Sequence, residues 1–119
     1  MTFIPAELRR GDAVRTRLDP TEGSEQAGNR PVLFLLPDVI NRHSPIILIA
    51  PITSKKTEHA YPFEALAELS EGGLPICSKV RLMQIRSLDK SRLLGYYGYL
   101  SEEIMLQADQ ALKIAAGLC

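Results

Sequence analysis

Cysteine, histidine and tryptophan are scarce in this sequence, whose 119 residues include two cysteines, two histidines and no tryptophan. Cys77 and Cys119 lie far apart and form no C-x-x-C pair, which argues against a disulfide framework and a cysteine metal site. With only His43 and His59 available, a histidine metal site is not expected either. We therefore predict neither a metal nor a cofactor.

Net charge and long apolar segments are also lacking. The 14 Lys and Arg residues balance the 14 Asp and Glu residues, so a general polyanion binder is not expected, although a local basic patch is compatible with this balance. The longest apolar run, IILIAPI, is too short to span a bilayer. The first residues lack the apolar segment of a signal peptide. We expect a soluble cytoplasmic protein with one domain over residues 1–119.

Familiar catalytic motifs are missing as well. Gly72-Gly73 is typical of a turn and does not form a phosphate loop. The sequence contains no G-x-S-x-G and no H-E-x-x-H. Any catalytic chemistry must therefore come from polar residues that the fold brings together.

The apolar pattern predicts an antiparallel-rich α+β domain. Alternating or continuous apolar runs predict strands at 11–18, 32–36, 46–53, 78–85 and 93–100. Residues 61–69 are predicted to form one or two short strands, although their Ala and Leu content is also compatible with a helix. Prolines bound a turn or short helical segment at 37–45, and 86–92 is predicted to be a turn or one helical turn. Ser101 is a good N-cap for a C-terminal helix, whose apolar stripe comprises Ile104, Ala108, Ala111, Leu112 and Ala115. Leu106 lies on the opposite face, where it could mark a partner contact.

Polar residues collect just before the strand VLFLL and at the ends of two other strands. The loop GSEQAGNRP supplies Glu25, Gln26 and Arg30. The Arg30 guanidinium can either brace the loop or bind a phosphate, for which its planar fork and permanent charge are suited. The hydroxyls of Thr53 and Ser54 follow a predicted strand and can donate to a phosphate oxygen.

Three further groups are candidates for a nucleic-acid site. Gln84 and Arg86 lie at the end of the strand predicted at 78–85, but sequence spacing alone does not prove that they meet Arg30. His59 is either a surface residue or, beside Tyr61, part of a surface on which an RNA base stacks. A basic rim, either solvated surface or an RNA contact, comprises Lys55, Lys56, Arg81, Arg86, Lys90 and Arg92.

An ordered set of short motifs resembles the MazF/PemK family of type II toxins. The motifs are GD-x5-LDPT-x-GSEQAG-x-RPV, N-R-x-S-P, P-I-T-S, Q-I-R-S-L-D-K-S-R-L and LSEE-x-M-x5-AL, and the resemblance covers Arg10 to about Leu118. The resemblance implies a small, SH3-like, strongly bent antiparallel β-barrel with short helices and a C-terminal α-helix, usually a homodimer.

The resemblance also implies an activity and partners. Family members are mRNA interferases, endoribonucleases that cleave single-stranded RNA sequence-specifically without metal and leave a 2′,3′-cyclic phosphate and a 5′-hydroxyl. A MazE-like antitoxin silences the enzyme, and contact with DNA is expected only through the antitoxin complex. By motif position, Arg30, Thr53 and Glu25 are the implied catalytic residues, with Glu25 a possible base. Ser54 and Gln84 fall where the family lines its RNA site, and we add Gln26, His59, Arg81 and Arg86 as candidate RNA-binding residues.

This sequence departs from the family at three positions. Met83 stands where members often carry an acid proposed as the base, so that role falls to Glu25 by default. Arg15 and Arg17 place two positive charges on the first strand, with an effect on RNA affinity, on dimer contacts or on neither. Two alternatives therefore stay open: a CcdB-like toxin that binds gyrase, because fold does not settle function, and a catalytically weak relative that acts as a regulatory binding protein.

Overall fold

The computed structural model describes residues 7–18, 28–67, 73–74 and 76–118. Within these residues the chain forms seven strands: β1 (Asp12–Arg17), β2 (Asn29–Phe34), β3 (Ile46–Thr53), β4 (Glu64–Ala67), β5 (Ser78–Arg81), β6 (Arg86–Asp89) and β7 (Leu93–Tyr99). It also forms two α-helices, α1 (Asp38–Asn41) and α2 (Glu102–Ala115), and 3-10 turns at Leu82–Gln84 and Lys90–Arg92. No helix in this described part is long and apolar enough to cross a membrane.

All strand pairs are antiparallel, in the order β4-β5-β3-β2-β1-β7, and β6 also pairs with β3. This sheet and helix α2 confirm the predicted α+β class. The expected barrel is corrected in one respect, because β4 and β7 do not pair within the described residues and the sheet is not closed. Part of the connection after β4 approaches β7 instead, at Gly73.

The predicted strand at 78–85 ends early, and the turn or helical turn predicted at 86–92 is confirmed at Lys90–Arg92 but is wrong at Arg86–Asp89, which form β6. Strand β5 stops at Arg81 after pairing with the end of β3, and β6 then pairs with Ile46–Ile49 at the start of β3. The 3-10 turn at Leu82–Gln84 makes this transfer along one edge of β3. Leu88 is the only buried residue of β6, so its sequence carried too little apolar pattern to predict a strand.

Alternate strand residues pack into two cores, because successive side chains point to opposite faces of a sheet. One core contains Val14, Val32 and Phe34, and the other contains Ala13 and Leu33. Helix α2 covers the second core with Ile104, Ala108 and Ala111. The Ser101 Oγ accepts a hydrogen bond from the Ile104 N–H at 3.3 Å, which confirms the predicted N-cap. On the opposite face Leu106 is 67% exposed.

Candidate active site

Arg30 and Thr53 meet at the end of the sheet where β2 begins and β3 ends. The β2–β3 pairing ends at Val32 and Pro51, and Arg30 and Thr53 each lie two residues beyond this last pair, at the same end of the two strands. Both residues line one cleft with an empty volume of about 460 Å³, here called the Arg30–Thr53 cleft.

The remaining walls of the Arg30–Thr53 cleft are largely apolar. They are formed by Pro31, Ile52, Ser54, Leu74, Ile76, Ser78 and Tyr97. Of these, only Ser54 was predicted from the sequence. Leu74 and Ile76 follow β4, and Tyr97 belongs to β7, so no spacing in the sequence indicated that they would line one site. Apolar walls lower the local dielectric constant and strengthen the interaction of a guanidinium with an anion.

The Arg30 side chain lies beside a glycine that closes the root of the preceding loop. The Leu18 N–H donates to the Gly28 carbonyl at 2.9 Å and so joins β1 to β2. Gly28 has a φ of +85°, and a Cβ atom there would lie 3.9 Å from the Arg30 Nε. Arg30 itself is exposed to solvent. Glu25 and Gln26 belong to the loop between these strands and lie outside the described residues.

The Thr53 hydroxyl is oriented by a backbone N–H two residues later in the chain. Its Oγ1 accepts a hydrogen bond from the Lys55 N–H at 3.2 Å, and the side chain is half-buried. Because a hydroxyl offers one donated proton and two acceptor lone pairs, this contact leaves the O–H free to donate to an anion in the cleft. Ser54 is exposed and lines the same cleft.

Two other candidates, Arg81 and Gln84, line a second cleft. This cleft has an empty volume of about 440 Å³, is completed by Phe63, Glu64 and Met83, and is here called the Gln84 cleft. Met83 is 64% exposed there. Strand β5 connects the two sites, because Lys79 pairs with Thr53 and Arg81 follows two residues later. The structure therefore separates the predicted residues into two groups along one face.

Within the described part of the chain, Arg86 lines neither of the two clefts. Its Nη1 donates to the Leu18 carbonyl at 3.2 Å, beside the root of the loop that carries Glu25. The Arg92 Nη1 makes a longer contact of 3.5 Å with the Arg17 carbonyl. These contacts give Arg86 a structural partner that the sequence did not predict, and its proposed RNA contact stays a prediction.

His59 is exposed on the connection between β3 and β4. Its ring centroid lies 4.6 Å from that of Tyr61, and the two rings are nearly perpendicular. Lys79 and Glu64, which the sequence analysis did not propose, form a buried ion pair under this connection. Among the described residues, no group of three or more His, Cys, Asp and Glu side chains could hold a metal ion.

Asp12 lies at the start of β1, far along the strand from Arg17 and the loop root. Burial raises the pKa of its carboxyl above 3.8, and this effect outweighs the hydrogen bonds from the Arg9 N–H and the Tyr96 hydroxyl, which lower it. Burial also raises the pKa of Tyr96 above 10.0. Neither residue lines the Arg30–Thr53 cleft or the Gln84 cleft. We therefore infer that this pair affects the stability of the fold.

Known structures share this fold over nearly their whole length. MazF from Deinococcus radiodurans (Form-I) has 27% sequence identity and a TM-score of 0.80, with 93% of this chain and 97% of that chain covered. An endoribonuclease from a mycobacterial species, in complex with its cognate antitoxin, has 24% identity and a TM-score of 0.78, with 94% and 97% covered. A MazE–MazF complex from Deinococcus radiodurans (Form-II) has 23% identity and a TM-score of 0.73, with 94% and 97% covered.

The sequence comparison gives the family directly. Residues 9–116 match the family of PemK-like, MazF-like toxins of type II toxin–antitoxin systems. The match includes both strands that carry Arg30 and Thr53, the two residues implied by the sequence motifs and brought together at one cleft. The chain therefore belongs to the PemK-like, MazF-like toxin family of type II toxin–antitoxin systems.

Proposed function

We propose that this protein is an endoribonuclease toxin that cleaves single-stranded RNA, mainly mRNA, at a specific sequence. The reaction requires no metal and leaves a 2′,3′-cyclic phosphate and a 5′-hydroxyl. The observation that carries the proposal is the shared cleft of Arg30 and Thr53, at the ends of two neighbouring strands. Two similar structures support it, since one is an endoribonuclease and the other a MazF.

Arg30 acts on the phosphate in this proposal. The ribose 2′-oxygen loses its proton to a base and attacks the adjacent phosphorus. The bond from phosphorus to the 5′-oxygen breaks, and the departing oxygen takes a proton from water to become the 5′-hydroxyl. Negative charge grows on the non-bridging oxygens during this step. A guanidinium fixed at the cleft stabilises that charge, and such preorganised donors are worth roughly 10²–10³ in kcat. Arg30 stays protonated throughout and therefore does not accept the 2′-hydroxyl proton.

Thr53 orients the same phosphate by donating its hydroxyl proton, while the Lys55 N–H occupies one of its lone pairs. The proton of the 2′-hydroxyl needs a separate acceptor. The described residues that line the Arg30–Thr53 cleft include no Asp, Glu or His, and Met83 lies in the Gln84 cleft. We therefore assign the general base to Glu25, which the loop before Arg30 supplies.

The proposed partners follow from the same family. Two of the similar structures contain an antitoxin, and we propose that a MazE-like antitoxin blocks the RNA site of this protein with an extended segment. We also propose that the toxin works as a homodimer in the cytoplasm. Contact with DNA is proposed only through the complex with the antitoxin.

The proposal is tested by incubating the purified protein with a long, mostly unstructured RNA in the presence of EDTA. The wild type is compared with Arg30→Ala and with Arg42→Ala, which removes an exposed arginine at the end of α1. We expect the wild type and Arg42→Ala to cleave at one short recurring motif, and Arg30→Ala to lose nearly all cleavage. Product ends are mapped by primer extension and tested for the 5′-hydroxyl.

Two results would contradict the proposal. Intact RNA from a folded wild-type protein would remove the nuclease assignment, and inhibition of gyrase supercoiling would then support the gyrase-binding alternative. Full cleavage by Arg30→Ala would leave the nuclease activity established but would show that Arg30 is not part of the active site.

A further inference from the structure

Three aromatic side chains form a short array between β3 and β4. The rings of Tyr61 and Phe63 are parallel, with 5.1 Å between their centroids and 3° between their planes. His59 meets Tyr61 edge-on at 4.6 Å. Tyr61 is 49% exposed and His59 is exposed as well. An exposed aromatic surface of this kind is not used by the packing of the sheet.

A buried ion pair supports this array from below. The Lys79 Nζ lies 3.0 Å from the Glu64 Oε1, and the two side chains are only 6% and 5% exposed. Lys79 also donates to the His59 carbonyl at 3.1 Å, and the Tyr61 N–H donates to the Glu64 Oε1 at 3.1 Å. The pair therefore holds the backbone at both exposed aromatic residues.

The same pair is directly connected to the Arg30–Thr53 cleft. Lys79 on β5 pairs with Thr53 on β3, and the connection that carries the aromatic residues begins immediately after Thr53. The array is also continuous with the Gln84 cleft, because Phe63 and Glu64 line that cleft. A nucleotide next to a phosphate at Thr53 can therefore reach the array without leaving this face.

We propose that the exposed ring of Tyr61 binds one nucleobase of the RNA substrate by stacking, that the perpendicular ring of His59 contacts the edge of the same base, and that Glu64 and Lys79 are positioning residues that fix this site. This inference rests on the proposed ribonuclease function and identifies residues that select the sequence cleaved. Aromatic side chains stack on unpaired RNA bases, whose edges remain available for hydrogen bonds. The Gln84 amide and the Arg81 guanidinium, in the neighbouring cleft, offer such bonds.

The charges around the aromatic array do not by themselves distinguish a nucleotide from an acidic peptide. Lys55 and Lys56 are exposed on this connection and outnumber Glu58, and Lys79 balances the charge of Glu64. This excess of positive charge suits a phosphate backbone and also a carboxylate. The exposed ring of Tyr61 favours a nucleobase, because a base offers a flat π-face that can lie on this ring and a carboxylate does not.

The test compares nucleotide preference and kinetics among matched variants. Products from one long RNA are sequenced at their 5′-ends for the wild type, Tyr61→Leu, Tyr61→Phe and the double variant Glu64→Gln/Lys79→Met. The double variant removes both charges, so that no lone charge is left buried to unfold the protein. Asp109→Asn, which breaks an exposed ion pair on α2, serves as the control.

We expect Tyr61→Leu to lose the preference at one nucleotide position and to raise KM roughly 5- to 50-fold with kcat nearly unchanged, as expected for a lost aromatic–base stack. Tyr61→Phe should keep the wild-type preference. The double variant should relax the same position, and Asp109→Asn should change neither preference nor KM.

Several outcomes would overturn the inference while the proposed function stands. One is an unchanged nucleotide preference and KM in Tyr61→Leu. Another is an equal loss of preference at every nucleotide position. A third is a variant that loses only binding of an acidic antitoxin segment, which would assign the surface to that partner. A wild-type protein that cleaves no RNA would overturn the proposed function and this inference together.

Discussion

Gly73 packs directly against the carbonyl of Tyr97 on β7. A Cβ atom added at Gly73 would lie 2.2 Å from that oxygen, and the φ of Gly73 is +70°. Both the contact and the backbone conformation therefore require glycine. The next residue, Leu74, and Tyr97 itself line the Arg30–Thr53 cleft. This single close approach holds one wall of the candidate active site.

Gly73→Ala should lower the free energy of unfolding by roughly 1–3 kcal/mol and reduce RNA cleavage, because the chain must move away from Tyr97. Gly117→Ala is the matched control, since Gly117 has nearly the same φ, +71°, but nothing within 4 Å of the added Cβ atom. Urea denaturation and initial cleavage rates measure both effects. Equal losses in the two variants would show that the contact with Tyr97 contributes nothing.

Replacing one partner of the buried Glu64–Lys79 pair should lower the free energy of unfolding strongly, whereas replacing both partners should lower it much less. Lys79→Met leaves the buried Glu64 carboxylate with the Tyr61 N–H at 3.1 Å and the Arg81 guanidinium at 3.9 Å, and should cost roughly 3–5 kcal/mol. Replacing both residues, with Glu64→Gln added, should recover most of this loss. Urea denaturation of the two single variants and the double variant measures the free energy of unfolding of each.

The exposed Arg10–Asp109 pair is the comparison for this prediction. Its side chains are 33% and 42% exposed, so Asp109→Asn should cost only about 0–1 kcal/mol. If Lys79→Met cost no more than Asp109→Asn, the buried pair could not be the support that we assign to it.

Thr53→Val should reduce kcat roughly 10²–10³-fold, because it keeps the shape of the side chain and removes the hydroxyl that faces the phosphate. Thr53→Ser keeps the hydroxyl and should retain much of the activity. Single-turnover cleavage of one RNA measures the chemical step, and the urea midpoint shows whether each variant folds. A fully active Thr53→Val would remove this residue from the catalytic group.

Stability should depend on pH through Asp12, whose pKa is raised by burial. Below 3.8 the carboxyl is protonated in both the folded and unfolded states, and its favourable contribution is complete. As pH rises through the higher folded pKa, the folded protein must bury a charge and loses that contribution. The free energy of unfolding of the wild type should therefore fall relative to Asp12→Asn as pH rises from 3.8 to the raised pKa of Asp12 in the folded protein.

Asp89 provides a control of opposite sign. The Ser91 N–H donates to the Asp89 carboxylate at 2.8 Å, and the hydrogen bonds of Ser91 lower its pKa below 3.8. Its contribution is present above 3.8 and is lost as pH falls through the lower folded pKa. Relative to Asp89→Asn, the wild type should lose stability only in acid. Parallel pH profiles for the two variants would contradict both assignments.

Local patterns were sufficient for several elements. The predicted strand at 46–53 has the bounds of β3, since a run of β-branched residues needs no distant information to favour a strand. Ser101 marked the start of α2 for the same reason, because an N-cap acts on the next turn only. Ordered motifs also indicated Arg30 and Thr53 before the structure placed them in one cleft.

The sequence by itself thus determined the family, most strands, the C-terminal helix and the two residues at the centre of the candidate site. Only the tertiary structure showed the wall of Leu74, Ile76 and Tyr97, the burial of Glu64 with Lys79, and the open sheet. Capping and periodicity act between residues a few positions apart. Walls, buried pairs and strand order depend on which distant strands pair and in which register, and no short segment of sequence contains that information.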